Sequence, residues 1–262
     1  MTLASSLSRR NGKKAGFVAF VTAGDPSLDA TRRFVSMLRA EGADIVELGV
    51  PFSDPVADGP VIQAAAERAL RRGASLAGVL AALRRLRAAG ETVPVILFTY
   101  LNPALTLGPE RFAAEAAKAG AQGALLVDLP AEVAGPWRKA LARRGLELVL
   151  LASPTTSDSR LKLIGRAGGS IVYYVSREGV TGVRRGLAPG LAARLAHVRR
   201  VVGKPLIVGF GISNGAQARR LAAHAAGVVV GSALVAAAAL KKPADGERAM
   251  RRVARDVVRG LC

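Results

Sequence analysis

Short apolar runs alternate along the chain with longer segments in which Ala, Leu and Arg recur at helical spacing. The apolar runs are short and rich in β-branched residues, and they predict strands at residues 16–22, 44–49, 93–99, 123–128, 147–151, 170–175, 205–209 and 227–231. The other segments predict helices at residues 28–41, 61–71, 76–89, 111–119, 132–144, 157–167, 189–202, 216–223 and 247–259. Strands this apolar are typical of parallel strands that are buried on both faces.

The number of alternations decides the fold class. Eight strand–helix units in 262 residues predict an α/β protein, a single (β/α)8 TIM barrel over residues 1–262 with a short N-terminal extension. A doubly wound sheet is the alternative, but it would need a glycine-rich fingerprint after the first strand. The segment Thr22-Ala-Gly-Asp-Pro26 is not such a fingerprint. We find no linker, low-complexity tract or domain boundary.

Composition narrows the cellular setting. Half of the residues are hydrophobic, which is enough for a large core, yet no apolar run approaches the ~18–20 residues of a membrane span. The first ten residues lack the apolar centre of a signal peptide. The single cysteine is Cys262, so neither a disulfide framework nor a cysteine metal site forms within one chain. We therefore expect a cytoplasmic protein without a membrane partner.

The net charge of +19 would suit a nucleic-acid partner if the basic residues were clustered. They instead come as scattered pairs, most of them in predicted helices, where they form solvated outer faces. Aromatic residues make up only 4% of the chain, which leaves few platforms for stacked bases. We expect no nucleic-acid partner, and the excess of Arg over Lys indicates a compositional bias.

Two carboxylates lie eleven residues apart, at the ends of the segment Glu47-Leu-Gly-Val-Pro-Phe-Ser-Asp-Pro-Val-Ala-Asp58. Glu47 ends a buried strand, so its apolar surroundings should raise its pKa towards neutrality. Asp58 lies on a proline-broken loop, where we expect a wetter setting and a charged side chain. Such a pair suits acid/base chemistry on one small molecule. The alternatives are a strand-end salt bridge for Glu47 and a loop cap for Asp58.

In a barrel, the strand ends and the loops after them form the active face. Polar residues gather there, namely Thr22, Asp25, Glu47, Asp58, Tyr100, Asn102, Asp128 and Tyr173. Metal ligation is disfavoured because His197 and His224 lie in predicted helices, away from that face. There is no nucleophile elbow, and no predicted strand carries a lysine for a Schiff base. Carboxylate acid/base chemistry without a metal or cofactor remains.

Glycine-rich turns follow the last three predicted strands, at residues 179–182, 209–213 and 231–233. In barrels, the loops after strands seven and eight often bind phosphate through backbone N–H groups. Gly182, Gly211 and Gly231 allow a close backbone approach, and the hydroxyl of Ser232 adds a donor. The segment 176–190 is long and glycine-rich for a strand–helix connection, and we expect it to close as a lid.

Several segments together resemble the tryptophan synthase alpha chain family: residues 20–26, 46–63, 128–130, 173–182, 209–213 and 231–233. The second of them, Val46-Glu-Leu-Gly-Val-Pro-Phe-Ser-Asp-Pro-Val-Ala-Asp-Gly-Pro-Val-Ile-Gln63, is close to a family signature. Related phosphate-binding barrels such as indole-glycerol-phosphate synthase share the phosphate turns but not that segment. The resemblance implies retro-aldol cleavage of indole-3-glycerol phosphate to indole and D-glyceraldehyde 3-phosphate.

The resemblance also assigns the site. It implies that Glu47 is the general acid/base and that Asp58 binds the indole N–H. The binding residues that it implies are Phe20, Tyr100, Leu125, Leu151, Tyr173 and Thr181 around the indole and the carboxylates, and Gly182, Phe210, Gly211, Gly231 and Ser232 around the phosphate. Phe98 stands where a leucine is usual and Val127 where an alanine is common, so the pocket should be narrower.

The family works as an alpha2beta2 complex, in which the beta chain carries pyridoxal phosphate and receives indole through a tunnel. The resemblance therefore implies a tryptophan synthase beta chain as partner, contacted through the loop of residues 51–58, and no cofactor in this chain. Two alternatives stay open. One is a free-standing lyase that releases indole, and the other is a non-catalytic activator of the beta chain.

Overall fold

A computed structural model describes residues 2–7, 12–175, 190–209, 211–240 and 243–262. Its strands close into a parallel barrel in chain order, each strand pairing with its neighbours and the last with the first. The strands are β1 Gly16–Thr22, β2 Ile45–Gly49, β3 Val95–Thr99, β4 Gly123–Leu126, β5 Glu147–Ala152, β6 Val172–Val175, β7 Leu206–Gly209 and β8 Gly227–Val230. The predicted (β/α)8 barrel is confirmed.

The helices surround this barrel and connect successive strands. They are α1 Leu3–Ser6, α2 Leu28–Ala40, α3 Pro60–Arg71, α4 Leu76–Ala88, α5 Leu101–Leu105, α6 Gly108–Ala119, α7 Gly135–Arg143, α8 Asp158–Ala167, α9 Leu191–Val202, α10 Gly215–Ala222, α11 Ser232–Ala238 and α12 Pro243–Leu261, with a 3-10 turn at Ala131–Val133. No helix in the described ranges is long and apolar enough to cross a membrane.

The helix predictions miss in two ways. The helices α1, α5 and α11 were not predicted, because four, five or seven residues are too few to show a helical period. The predicted helix 132–144 is instead a 3-10 turn followed by α7, and α6 begins at Gly108 rather than at residue 111. Both α6 and α7 carry a proline in their first turn, where the missing N–H of proline is tolerated. Proline often indicates a loop, but at these two positions it stands at the start of a helix.

The barrel interior is packed by alternate residues of the strands. One buried cluster takes at least one residue from each strand or its start: Val18, Ile45, Ile96, Leu125, Val149, Ile171, Tyr173, Ile207 and Val229. Side chains two residues further along a strand point to the same side. Phe20 and Glu47, which are opposite each other in the β1–β2 register, therefore also face the interior. The next interior positions, Gly49 on β2 and Phe98 on β3, are paired in the same way.

The N-terminal helix α1 closes the barrel at the end where the strands begin. Leu3 and Leu7 belong to the interior cluster, and the backbone N–H of Leu3 donates to Glu147 Oε1 at 2.7 Å. Glycines make room for them, because a Cβ at Gly16 would lie 2.7 Å from Leu7 Cδ2. A small molecule therefore has to approach the interior from the opposite end, where the strands terminate.

A buried ion pair ties the loop after β1 to α3. Arg68 on α3 donates from Nε and Nη2 to the two carboxylate oxygens of Asp25, at 3.0 and 2.7 Å. Asp25 is buried, and bidentate pairs of this kind fix geometry as well as adding energy. Since α3 begins directly after Asp58 and Gly59, this pair holds the helix that carries the Asp58 loop.

The Asp25–Arg68 pair yields a stability prediction. In Asp25→Asn one charge-assisted hydrogen bond is lost and an amide N–H faces the guanidinium, so the free energy of unfolding should fall by about 1–2 kcal/mol. The low end applies because Arg68 is 35% exposed and can be solvated. Urea unfolding followed by the fluorescence of Trp137, the single and buried tryptophan, measures the change. Asp29→Asn removes an exposed ion pair to Arg32 and is the control. Equal effects of the two substitutions would refute a special role for Asp25.

Candidate active site

Glu47 is completely enclosed in the barrel interior. Its side chain is 0% exposed, and neither carboxylate oxygen has a hydrogen-bond partner among the described residues. This burial raises the pKa of Glu47 to about 8, so the carboxyl is mostly protonated at neutral pH. The rise predicted from the apolar surroundings is confirmed. No cation pairs with Glu47 in the part of the chain that the structure describes, which speaks against the salt-bridge alternative.

Asp58 is held by Tyr100, which directly follows β3. The Tyr100 hydroxyl donates to Asp58 Oδ2 at 3.0 Å and accepts from the backbone N–H of Ala57, also at 3.0 Å. Burial raises the pKa of Asp58 to about 6, and the hydrogen bond from Tyr100 limits that rise. Asp58 is half-buried whereas Glu47 is fully enclosed, so its setting is the wetter of the two, as expected. A pKa of about 6 leaves its carboxyl mostly ionised at pH 7. The loop-cap alternative is wrong, because the N-cap of α3 is Gly59, without a side-chain hydrogen bond.

A small cavity opens beside Asp58 at the end of β1, β2 and β3. Its lining residues are Phe20, Thr22, Gly49, Val50, Pro51, Phe52, Pro55, Asp58, Ile62, Ala66, Phe98 and Tyr100. Glu47 is not among them, although it lies on the same strand as Gly49. Burial raises the pKa of the Tyr173 phenol well above its usual value, and the charges of Glu47 and Asp58 add to the rise. Tyr173 therefore stays protonated.

The other residues implied by the resemblance divide into three groups. Leu125 is buried in the interior cluster and Leu151 packs against it. Gly211 follows β7 in a left-handed conformation (φ +74°), and Gly231 and Ser232 follow β8, so all three lie at the active end of neighbouring strands. Thr181, Gly182, Phe210 and the predicted lid up to residue 189 lie outside the described residues.

Some polar residues at the strand ends have structural roles instead. Asp25 pairs with Arg68, and Asp128 accepts the backbone N–H of Leu101 at the start of α5. His197 hydrogen-bonds Asp158 on the outer helices, 2.8 Å away. His224 is exposed beyond α10. Among the described residues, no three His, Cys, Asp or Glu side chains come together as metal ligands.

Sequence reasoning missed part of the cavity wall. Ile62 lines it from α3, and Phe52 packs against the Tyr100 ring with centroids 5.2 Å apart. A signal for Ile62 was present, since Ile62, Ala65 and Ala69 recur at helical spacing directly after the Asp58 loop. The Thr22 hydroxyl, at the end of β1, is buried in this wall and has no hydrogen-bond partner in the part of the chain that the structure describes.

The buried Glu47 carboxyl gives stability a pH dependence. Its pKa is about 8 when folded against an ordinary value of 4.5, so it stabilises the fold at low pH and this stabilisation is lost as the pH rises towards 8. Glu47→Gln cannot ionise. Relative to this variant, the wild type should lose about 3–4 kcal/mol of unfolding free energy between pH 5 and pH 8 in urea titrations. Glu67→Gln, at an exposed site on α3, is the control. Its unfolding free energy should change with pH as that of the wild type does. If the unfolding free energies of Glu47→Gln and the wild type changed with pH in parallel, Glu47 would ionise as freely in the folded protein as in the unfolded chain.

Comparison with known proteins agrees with this geometry. A sequence model of the tryptophan synthase alpha chain family matches residues 7–259. Alpha chains from Xanthomonas axonopodis pv. citri and Geobacter sulfurreducens are 52% and 48% identical over 232 and 227 residues, which are 88% and 87% of this chain and 86% and 85% of theirs.

Solved structures of the same family share the whole architecture. The alpha subunit from Legionella pneumophila has a TM-score of 0.88 and 36% identity, with 98% of this chain and 96% of that one covered. A structure of the tryptophan synthase a2b2 complex from Pyrococcus furiosus has a TM-score of 0.87 and 35% identity, with 94% and 98% covered. The chain, with its enclosed glutamate and tyrosine-held aspartate, belongs to the tryptophan synthase alpha chain family of lyases that cleave indole-3-glycerol phosphate.

Proposed function

We propose that Glu47 and Asp58 together carry the retro-aldol cleavage of indole-3-glycerol phosphate in this chain. The observation behind the proposal is the difference between two neighbouring carboxyls, one with a pKa of about 8 and one with a pKa of about 6. At neutral pH the first is an acid with a proton to give, and the second is an anion. Pairs of groups whose environments separate their pKa values in this way supply the acid and the counter-charge of a reaction.

The two roles follow from the bonds that change. Glu47 gives its proton to indole C3, which turns the ring into a cation that can accept an electron pair. Asp58 accepts a hydrogen bond from the ring N–H and stabilises the positive charge that develops there. The Glu47 carboxylate then takes the proton of the hydroxyl on the adjacent glycerol carbon. The oxygen forms the aldehyde C=O, the bond from that carbon to C3 breaks, and its electrons restore aromatic indole.

The remaining residues would bind the two ends of the substrate. Phe20, Leu125, Leu151 and Tyr173 present apolar or aromatic surface that suits the flat indole ring. Backbone N–H groups at the glycine turns and the Ser232 hydroxyl suit the phosphate, and we propose these contacts for Gly211 and Gly231. Thr181 would line the indole pocket. Gly182 and Phe210 would complete the phosphate end, as the resemblance implies.

We further propose that the chain acts with a beta chain in an alpha2beta2 complex, as the Pyrococcus furiosus relative does. The loop of residues 51–58 supports this, because it borders the cavity and its Val56 is 84% exposed, which is unusual for a large apolar side chain. Pyridoxal phosphate would belong to the beta chain, and this chain would need no cofactor. The complex would be cytoplasmic, because the substrate is a phosphorylated small molecule and the chain has only one cysteine.

Indole release by the purified chain tests the residue assignment. Glu47→Gln should lower kcat by about 10²–10⁴-fold because it removes the proposed proton donor at C3. Asp58→Asn should lower kcat by about 10²–10³-fold because the developing charge loses its counter-ion. Each is assayed with and without a beta chain, and Glu67→Gln should behave as the wild type.

The outcomes separate the three functions. Turnover that rises when the beta chain is added supports the subunit. High turnover that the beta chain does not change would favour the free-standing lyase. No turnover by folded protein that still activates the beta chain would leave a non-catalytic activator and overturn the proposal.

The pH profile tests the two protonation states. The reaction needs Asp58 ionised and Glu47 protonated, so kcat/KM should rise near pH 6 and fall near pH 8. In Tyr100→Phe the aspartate loses the hydrogen bond that holds its pKa down. The acidic limb of this variant should therefore move to higher pH while the basic limb stays in place. An unmoved acidic limb would assign it to another group.

A further inference from the structure

The ring of Phe20, on β1, lies against the bare backbone of Gly49 on the neighbouring strand β2. A Cβ built on Gly49 would lie 2.6 Å from Phe20 Cζ and 2.9 Å from Cε2. Gly49 follows Glu47 by two residues on β2, so both face the interior and Gly49 lies one layer nearer to the open end. The missing side chain of Gly49 is therefore the space in which the ring of Phe20 lies.

Phe98 completes this layer from the other side of β2. It pairs with Gly49 in the β2–β3 register and meets Phe20 edge to face, with ring centroids 5.1 Å apart and an interplanar angle of 79°. Such an arrangement is attractive beyond the area that it buries. Both rings line the small cavity beside Asp58, whereas Glu47 does not. We call Phe20 and Phe98 together the aromatic cover, because both line the cavity while Glu47 lies one layer below Gly49 and Phe98.

The closed cover conflicts with the chemistry proposed for Glu47. A general acid has to come within about 2.6–3.2 Å of the atom that it protonates, or act through one water. The Glu47 carboxyl has no exposed surface, and no side chain or backbone group that the structure describes hydrogen-bonds to either of its oxygens. A substrate bound in the cavity would touch the rings and not the acid. The two rings therefore have to separate before the reaction.

We propose that Phe98 is a positioning residue that holds the aromatic cover shut over Glu47, and that substrate reaches the carboxyl only when Phe98 and Phe20 separate. The proposal rests on the proposed function of Glu47. A leucine at position 98 has fewer atoms and no ring edge to present to Phe20, so it would leave the cover partly open. When only a minor population is competent to bind, raising that population raises apparent affinity in proportion.

Chemical labelling tests the cover without requiring turnover. A carbodiimide with an added amine converts accessible carboxyls to amides, and peptide mass analysis counts them at each site. In the wild type, Glu47 should react far more slowly than the exposed Glu67. Phe98→Leu should increase the labelling rate of Glu47 at least several-fold and leave Glu67 unchanged. Phe98→Met is the second variant if the leucine protein does not fold.

The chain offers a matched control. Phe112 on α6 forms another edge-to-face pair, with Trp137 at 5.8 Å and 73°, outside the cavity lining. Phe112→Leu removes the same atoms from a similar pair, so it measures the effect of lost packing alone. Glu47 labelling should stay at the wild-type rate in this variant. Equal increases in both leucine variants would mean general loosening and would overturn the proposal.

Kinetics give a second readout. In Phe98→Leu, KM should fall more than kcat changes, and water entering beside Glu47 should move the basic limb of kcat/KM to lower pH. The titratable groups acting on the same region are Tyr173 on β6 and Asp58, and the acidic limb should stay in place. Turnover with unchanged labelling and an unchanged basic limb would refute the cover but not the lyase. Absent turnover with increased labelling would refute the lyase but not the cover.

Discussion

The burial of one unpaired carboxyl organises this molecule. Glu47 occupies an interior position of β2 where its neighbours in the barrel are apolar, and nothing described around it supplies a hydrogen bond. Such a group is stable only as the neutral acid, so the fold itself sets its protonation state. Leu3 and Leu7 close the end of the barrel where the strands begin and exclude water beneath the carboxyl. A reactant therefore approaches from the opposite end.

The position and the pKa of Asp58 depend on residues that are remote from it in sequence. Its partner Tyr100 lies 42 residues away, directly after β3, and the helix that follows Asp58 is held by the Asp25–Arg68 pair from the loop after β1. Burial pushes the Asp58 carboxyl towards the neutral form as well. Asp58 is less deeply buried than Glu47, and the hydroxyl of Tyr100 opposes the effect of burial, so the pKa of Asp58 lies about two units below that of Glu47. The difference between the two groups therefore depends on their unequal burial and on a hydrogen bond between the loops after β2 and β3.

The barrel and the Glu47 environment could be predicted from sequence, because both depend on local patterns. Apolar runs give strands, and a glutamate within such a run has to be buried. The setting of Asp58 could not be predicted, because the loop residues before it say nothing of the tyrosine that covers it. The Phe20–Phe98 contact is equally inaccessible, since it depends on the register of two strands against the glycine between them. Short helices such as α5 escape prediction because they span too few residues for periodicity.

The two halves of the barrel interior differ in how easily they can rearrange. The lower layers contain branched side chains such as Val18, Ile45 and Ile96, which dominate barrel cores because they pack in fixed rotamers. The layer above Glu47 contains aromatic rings lying over glycines. A Cβ at Gly209 would lie only 2.0 Å from the Tyr173 hydroxyl, as one at Gly49 would clash with Phe20. In our proposal the rings of Phe20 and Phe98, rather than a strand, move to admit the substrate. The acid lies at the boundary between these halves, where the rigid part fixes its position and the upper part can uncover it.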